Sequence, residues 1–148
     1  MGVYKQLESV PEEYRLRQYA SEYEGRDVWA EYAETRSDEY ESSHYWASVR
    51  KAGESWKAHV EGRGRHHALA RPGDVETWCA GLAETRTLRT VYTEYWVRLE
   101  EFYSWLQFHT DHPHVYQPVI MAAAEYPTAA AIWEQKIGEW SERGGTRE

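Results

Sequence analysis

One segment constrains the fold more than any other: residues 87–109 predict a single long amphipathic helix. At roughly 100° per residue, its large apolar side chains fall within an arc of about 120°. These side chains are Leu88, Val91, Tyr92, Tyr95, Leu99, Phe102, Tyr103 and Leu106. Thr87 is suited to cap the first turn, and the helix is expected to end near His109, before Asp111-His112-Pro113. A one-sided helix of about six turns must pack against other helices or a sheet.

Apolar spacing and Gly or Pro breaks elsewhere predict more helices and no strand, so the expected fold is all-α. The predicted helices cover 11–24, 27–35, 43–61, 72–84 and 127–140, with a short helical turn at 120–124. We expect three parts: an acidic helical segment at 1–42, a compact helical bundle at 43–124, and a C-terminal helix and tail at 125–148. The first part either docks on the bundle, which we favour, or extends from it as an arm.

Composition favours a single globular domain with an aromatic core. The chain has 148 residues, eight Trp and twelve Tyr, which is enough to bury a substantial core. Cys79 is the lone cysteine, so it forms no internal disulfide, and we expect it to be a small buried residue. No apolar run approaches the roughly 18 residues of a membrane span, and the N-terminus lacks a signal-peptide core. We therefore expect a cytoplasmic protein without a membrane partner.

The net charge of −8 is unevenly distributed. Residues 1–42 carry eleven acids and five bases, whereas 43–114 carry nine of each. The middle of the chain is thus its least acidic part, as a phosphate-facing surface requires. Only four of the seventeen bases are lysines, and an acidic, Lys-poor composition suits a protein of a halophile. An ordinary acidic protein is the alternative, and composition alone does not separate the two.

The strongest candidate for binding an anion lies at the start of the long helix. Arg86, Arg89, Thr90 and Thr93 lie opposite the apolar arc, where backbone N–H groups and the helix dipole favour a phosphate. A solvated polar helix face is the alternative explanation of the same residues.

Two further basic groups are weaker candidates. Arg50 and Lys57 share one stripe of the helix predicted at 43–61, but Glu54 and Glu61 follow each base by four residues and are possible intrahelical partners. Arg63 and Arg65, with His66 and His67, fall in a glycine-broken loop. This loop either reaches phosphates or is merely solvated and flexible.

The same stretch resembles a known family. The motifs are Thr-x-x-Thr-Val at 87–91, Phe-Tyr-Ser-Trp-Leu at 102–106, His-Pro-His-Val-Tyr-Gln-Pro-Val at 112–119 and Met-Ala-Ala-Ala at 121–124. They are similar to the last long helix and following residues of the N-terminal core-binding (SAM-like) domain of tyrosine recombinases, especially integrases of halophilic archaea. The resemblance covers roughly 42–124. It implies a small helical bundle that forms half of a clamp around duplex DNA, with the Arg50–Lys57 stripe also facing DNA.

The catalytic part of such a recombinase has no counterpart in this sequence. The family's chemistry needs an Arg, a Lys, a His-x-x-Arg pair and a nucleophilic Tyr on a second domain. None of the seven histidines is followed by Arg three residues later, and a tyrosine without activating cations is inert. We therefore expect no enzymatic activity and no cofactor. Residues 125–148 are all that follow the resemblance.

The sequence thus leaves two functions open. The first is a non-catalytic duplex DNA-binding domain that modulates recombination or integration, alone, with a tyrosine recombinase or with a second copy of itself. The alternative is a helical protein-interaction module that has lost DNA binding and uses its acidic N-terminal segment. His109, Asp111, His112 and His114 match no regular zinc-ligand spacing, so we expect no metal site. The resemblance instead gives His112-Pro113-His114 a structural place at the end of the long helix, where histidines can cap backbone carbonyls.

Overall fold

The computed structural model describes residues 6–36, 43–109 and 111–136. Within these ranges the chain is helical and contains no strand, which confirms the predicted all-α class. The helices are α1 (Ala20–Tyr23), α2 (Val28–Thr35), α3 (Ser43–Gly62), α4 (Pro72–Ala83), α5 (Leu88–Val91), α6 (Val97–Phe108), α7 (Pro118–Glu125) and α8 (Pro127–Trp133). The tail predicted at 141–148 and the end of the helix predicted at 127–140 lie outside the described residues.

The long helix is confirmed, with one change of winding. Helices α5 and α6 are joined without a break by a π-helical turn, Tyr92–Trp96. Thr87 caps the start, since its hydroxyl accepts a hydrogen bond from the N–H of Thr90 at 3.2 Å. Seven of the eight predicted apolar side chains are buried, and Leu88 is half-buried. The wider π turn also buries Trp96, which lies outside the predicted arc.

The helices before it also begin and end close to the predicted positions. On α3 the buried residues are Val49, Ala52, Gly53, Trp56 and Val60, which recur at helical spacing and form one apolar face. Pro72 occupies the first turn of α4, where its missing N–H has no cost. Cys79 of α4 is buried, as predicted, together with Val75, Trp78 and Leu82. Helix α7 is longer than the predicted turn at 120–124 because Pro118 begins it.

The helix predicted at 11–24 is wrong. The structure has short 3₁₀ turns at Leu7–Ser9, Glu12–Tyr14 and Leu16–Tyr19, followed by α1. The chain is extended at Arg15 (φ −75°, ψ 139°), and this break lets Leu16 enter the core, where it is 1% exposed. The N–H of Leu16 donates to the Tyr116 hydroxyl at 3.0 Å. The segment therefore docks on the bundle instead of extending from it.

Helix α2 packs on α3 through a close approach that only glycine allows. The Trp29 indole N–H donates to the Val49 carbonyl at 3.2 Å, so the nitrogen-bearing edge of the ring lies against the α3 backbone. A Cβ at Gly53 would be 2.2 Å from the indole nitrogen. The core that surrounds this contact is aromatic, as predicted, and its fully buried side chains include Trp56, Trp96 and Tyr103.

The described ranges hold no helix that is both long and apolar enough to cross a membrane.

Candidate nucleic-acid interface

The eight predicted site residues lie in three separate places. Arg63 and Arg65 surround a buried carboxylate at the start of α4. Arg50 and Lys57 line a groove between α2 and α3. Arg86, Arg89, Thr90 and Thr93 lie at the start of the long helix. The three groups therefore do not form one continuous surface made of the predicted residues alone.

Arg63 and Arg65 hold the loop between α3 and α4 onto Asp74. The Arg65 guanidinium donates twice to the Asp74 carboxylate, at 2.7 Å each, and Arg63 donates at 2.6 Å. Asp74 is completely buried and also accepts the backbone N–H of Arg71 at 2.8 Å. Burial alone would raise the pKa of Asp74, but the hydrogen bonds from Arg65, Arg71 and Arg63 lower it to about 2. Of the two alternatives for this loop, a merely solvated and flexible one does not fit these ion pairs, which attach the loop to α4.

His67, which follows in the same loop, forms hydrogen bonds inside the protein. The Nε2 of His67 accepts the backbone N–H groups of Val28 and Trp29, at 3.1 and 3.2 Å, and so caps α2. The ring is 2% exposed, and burial, with a contribution from neighbouring His66, lowers its pKa to about 3. His67 is therefore neutral at neutral pH and turned away from solvent. The predicted phosphate contact by His67 is wrong.

Arg50 and Lys57 face α2 instead of the long helix. Lys57 makes an ion pair with Asp27 at 3.0 Å, and Asp27 caps α2 by accepting the N–H of Ala30 at 3.0 Å. The partner of Lys57 is thus on a neighbouring helix, and not the Glu61 that the sequence spacing suggested. Arg50 is exposed on the same groove, which has a volume of about 440 Å³.

The start of the long helix presents its polar residues outward. Arg86 and Arg89 are exposed, and Thr90 and Thr93 are partly exposed. The Thr93 hydroxyl donates to the carbonyl of Arg89 at 3.1 Å, which leaves its oxygen as an acceptor. The Arg86 guanidinium lies 5.1 Å from the centroid of the Tyr95 ring, and such a cation–π contact orients it without neutralising it.

Two cations that the sequence did not single out extend this surface, Lys51 on α3 and Arg98 on α6. Lys51 lies 5.2 Å from the same Tyr95 ring and makes an ion pair with Glu94. Arg98 donates to the Ser48 hydroxyl at 3.3 Å. A groove of about 390 Å³ between α3 and the long helix is lined by Ser48, Lys51, Thr93, Glu94 and Arg98, together with His44 and Ala47.

We call this surface the basic face and define it by Arg86, Arg89, Thr90, Thr93, Lys51 and Arg98. Two of its cations pair with carboxylates of described residues: Lys51 with Glu94, and Arg98 with Glu101 at 3.5 Å. The Lys51 hydrogen bond lowers the pKa of Glu94. The face thus gathers four cations in a chain whose net charge is −8.

The histidines near the end of the long helix hold other elements together. Tyr23 of α1 forms a hydrogen bond with His112 Nδ1, and His114 Nε2 donates to the Ala68 carbonyl at 2.7 Å. In the described part of the chain, no three His, Cys, Asp or Glu side chains are grouped to hold a metal ion. The predicted capping of the long helix is therefore replaced by links to α1 and to the loop before α4.

Comparison with known proteins adds no assignment: no family model, no curated protein and no solved structure matches this chain.

Proposed function

We propose that this protein is a non-catalytic domain that binds duplex DNA through the basic face. The observation that carries the proposal is the grouping of four cations, those of the basic face, on two adjacent helices of an otherwise acidic protein. Phosphate contacts supply most of the affinity of a sequence-tolerant DNA binder, and they require this local charge and not a basic chain overall.

The contacts follow from the geometry of the two helices. Arg86 and Lys51 flank one buried ring, Tyr95, so the two charges are held within about 10 Å of each other. Two cations this close can contact neighbouring phosphates of one strand, which follow each other at about 3.4 Å along the helix axis. Thr90 and Thr93 lie one helical turn apart, and their hydroxyls are suited to positioning a phosphate between the cations.

The proposal extends to the biological setting that the sequence resemblance implies. The domain would act in the cytoplasm like the core-binding half of a tyrosine recombinase clamp, without cutting DNA. It would occupy a recombination or integration site, alone, with a second copy or beside a catalytic recombinase of a mobile element in a halophilic archaeon. A covalent protein–DNA adduct trapped on a suicide substrate by the purified chain would contradict the non-catalytic part.

The test is fluorescence polarisation with a labelled duplex, with helicity measured in the same buffers. Arg86→Ala and Arg89→Ala should each weaken binding by roughly 1–2 kcal/mol, or about 5- to 30-fold, as expected for a lost charge-assisted hydrogen bond. Affinity should also fall as salt rises, because bound phosphates release counterions. Circular dichroism separates this effect from any need of an acidic protein for salt to fold.

Two adjacent residues of α3 provide a matched pair for the same assay. Lys51 lies on the basic face and Arg50 on the groove toward α2. Lys51→Ala should weaken duplex binding about as much as Arg86→Ala, and Arg50→Ala should leave it nearly unchanged. If the folded wild-type protein binds no duplex at any salt concentration, the DNA proposal fails and the interaction-module alternative is favoured.

A further inference from the structure

A second concentration of arginines surrounds a cavity at the other end of α4. The cavity has a volume of about 390 Å³ and lies between the N-terminal segment and the loop that joins α3 to α4. Four arginines line it, Arg15, Arg17, Arg65 and Arg71, and no Asp or Glu of the described residues is part of the lining. We call it the arginine cavity.

The four cations are only partly neutralised from outside the cavity. Arg65 shares Asp74 with Arg63, and Arg15 and Arg17 share the single carboxylate of Glu12. Glu12 is exposed, at 66%, and lies beyond the cavity wall. A bound anion would compete with Glu12 for both guanidiniums.

Arg71 supplies the least engaged charge. Its backbone N–H donates to Asp74, and its side chain is exposed. Among the residues that the structure describes, none makes a hydrogen bond or ion pair with the Arg71 guanidinium. Planar guanidinium groups bind phosphate oxygens in pairs, so this residue is available as one arm of an anion clamp.

The remaining wall is apolar. Leu16 and Leu69 are nearly inaccessible to solvent, at 1% and 4%, and both line the cavity with Tyr116. The Tyr116 hydroxyl is already used to accept the N–H of Leu16, so it presents mainly the ring. A volume near 390 Å³ is within the range of about 300–1,000 Å³ typical of small-molecule sites and cannot enclose a duplex.

From these observations we propose that the arginine cavity binds a small phosphomonoester with an apolar or aromatic body. The phosphate would lie between Arg17 and Arg71, and the body would lie against Leu16 and Tyr116. A dianion fits better than a single carboxylate because several cations surround the cavity and only Glu12 and Asp74 balance them.

This site is separate from the basic face. Arg71 immediately precedes α4 and Arg86 follows it, and the twelve residues of α4 span about 18 Å. Loss of one site therefore need not affect the other, and neither proposal depends on the other.

Isothermal titration calorimetry at low ionic strength tests the proposal with three probes: phenyl phosphate, inorganic phosphate and phenol. Phenyl phosphate should bind saturably and about tenfold more tightly than inorganic phosphate, because burial of the ring contributes about 1.4 kcal/mol or more. Phenol should show no measurable binding. Equal binding of phenol and phenyl phosphate, or no saturable binding of phenyl phosphate, would overturn the proposal.

Variants with opposite expected signs make the test specific. Arg71→Ala and Arg17→Ala should each weaken phenyl phosphate binding about tenfold, whereas Glu12→Gln should strengthen it severalfold because the competing carboxylate is gone. Arg89→Ala, on the basic face, is the matched control and should leave phenyl phosphate binding unchanged. An unchanged affinity in both Arg71→Ala and Arg17→Ala, with circular dichroism showing the native fold, would also overturn the proposal.

Discussion

Two arginine pairs flank α4, and the protein uses them differently. Arg63 and Arg65 precede the helix and Arg86 and Arg89 follow it, each pair beside polar loop residues. The first pair surrounds a carboxylate that is completely buried. In the second pair, the exposed side chain of Arg86 lies over the ring of Tyr95. The contrast shows that the role of an arginine pair depends on whether a buried acid lies within its reach, which local sequence composition does not reveal.

The largest expected effect comes from removing the first pair. Arg63→Ala/Arg65→Ala would leave the buried Asp74 carboxylate with the N–H of Arg71 as its main remaining partner. Loss of a buried ion-pair partner typically lowers the free energy of unfolding by about 3–5 kcal/mol. Urea denaturation monitored by circular dichroism measures this change. The pKa of Asp74 should also rise, since burial then outweighs the remaining hydrogen bond.

The opposite result would remove the distinction between the two pairs. If Arg63→Ala/Arg65→Ala unfolds at the same urea concentration as the wild type, the Asp74 ion pairs contribute nothing to stability. The loop arginines would then have to be considered again as surface cations available to phosphate.

As the pH falls, protonation of His67 and His114 should lower the free energy of unfolding before protonation of Asp74 does. The folded-state pKa of His67 is lowered to about 3 from an ordinary 6.5, and that of His114 to about 4, mainly by burial. Below pH 6.5 the unfolded chain therefore binds more protons than the folded chain. The contribution of the two neutral histidines to stability is complete above pH 6.5 and is lost as the pH falls through their folded-state pKa values. Protonation of Asp74 lowers stability only at lower pH, as the pH falls from its ordinary pKa of 3.8 through its folded-state pKa of about 2.

His67→Gln distinguishes these contributions, because glutamine keeps a side-chain acceptor for α2 but does not titrate. The variant should lose less stability than the wild type between pH 6.5 and 4. Asp27, Glu61, Lys57 and His66 surround His67, and Glu61 is 3.4 Å from its Nδ1. A pH profile identical to that of the wild type would indicate that other groups cause the acid sensitivity.

The smallest effect on stability is expected from the second pair. Arg86→Ala/Arg89→Ala should change the free energy of unfolding by no more than about 0.5 kcal/mol, as is usual for surface substitutions. The same double variant should lose duplex binding. Stability would then depend on Arg63 and Arg65, and DNA affinity on Arg86 and Arg89. A loss of stability comparable with that of Arg63→Ala/Arg65→Ala would mean that both pairs are structural.

Helical periodicity predicted most of the fold because each helix has one continuous apolar face. It failed where the winding changes. Trp96 is buried because the π turn Tyr92–Trp96 places it outside uniform 100° spacing. The helix predicted at 11–24 is interrupted at Arg15, where the backbone is extended. The Arg15 side chain stabilises this conformation by donating to the carbonyls of Val10 and Glu8. Such tertiary and side-chain contacts leave no periodic signal.

The sequence predicted only part of the candidate site, because residue spacing identifies the faces of one helix but not how two helices pack. The cluster Arg86, Arg89, Thr90 and Thr93 follows from the polar side of one helix. Lys51 was missed because the apolar face of α3 does not reveal which of its two flanks faces the long helix. A one-residue step from Arg50 to Lys51 turns the side chain by roughly 100° and moves it from one groove to the other. That choice depends on how the helices pack.

Because His67 caps α2, the first turn of α2 and the loop after α3 should unfold locally together, although they are distant in sequence. Its acceptor nitrogen lies 39 residues from Val28 and 38 from Trp29 in sequence, so the first turn of α2 is complete only when the loop after α3 is in place. The same loop is held by Asp74. In native-state hydrogen exchange, the amides of Val28 and Trp29 should therefore share one opening free energy with the loop amides, as a single cooperative unit. A short helix near the N-terminus would then lose its protection in step with a loop far along the chain.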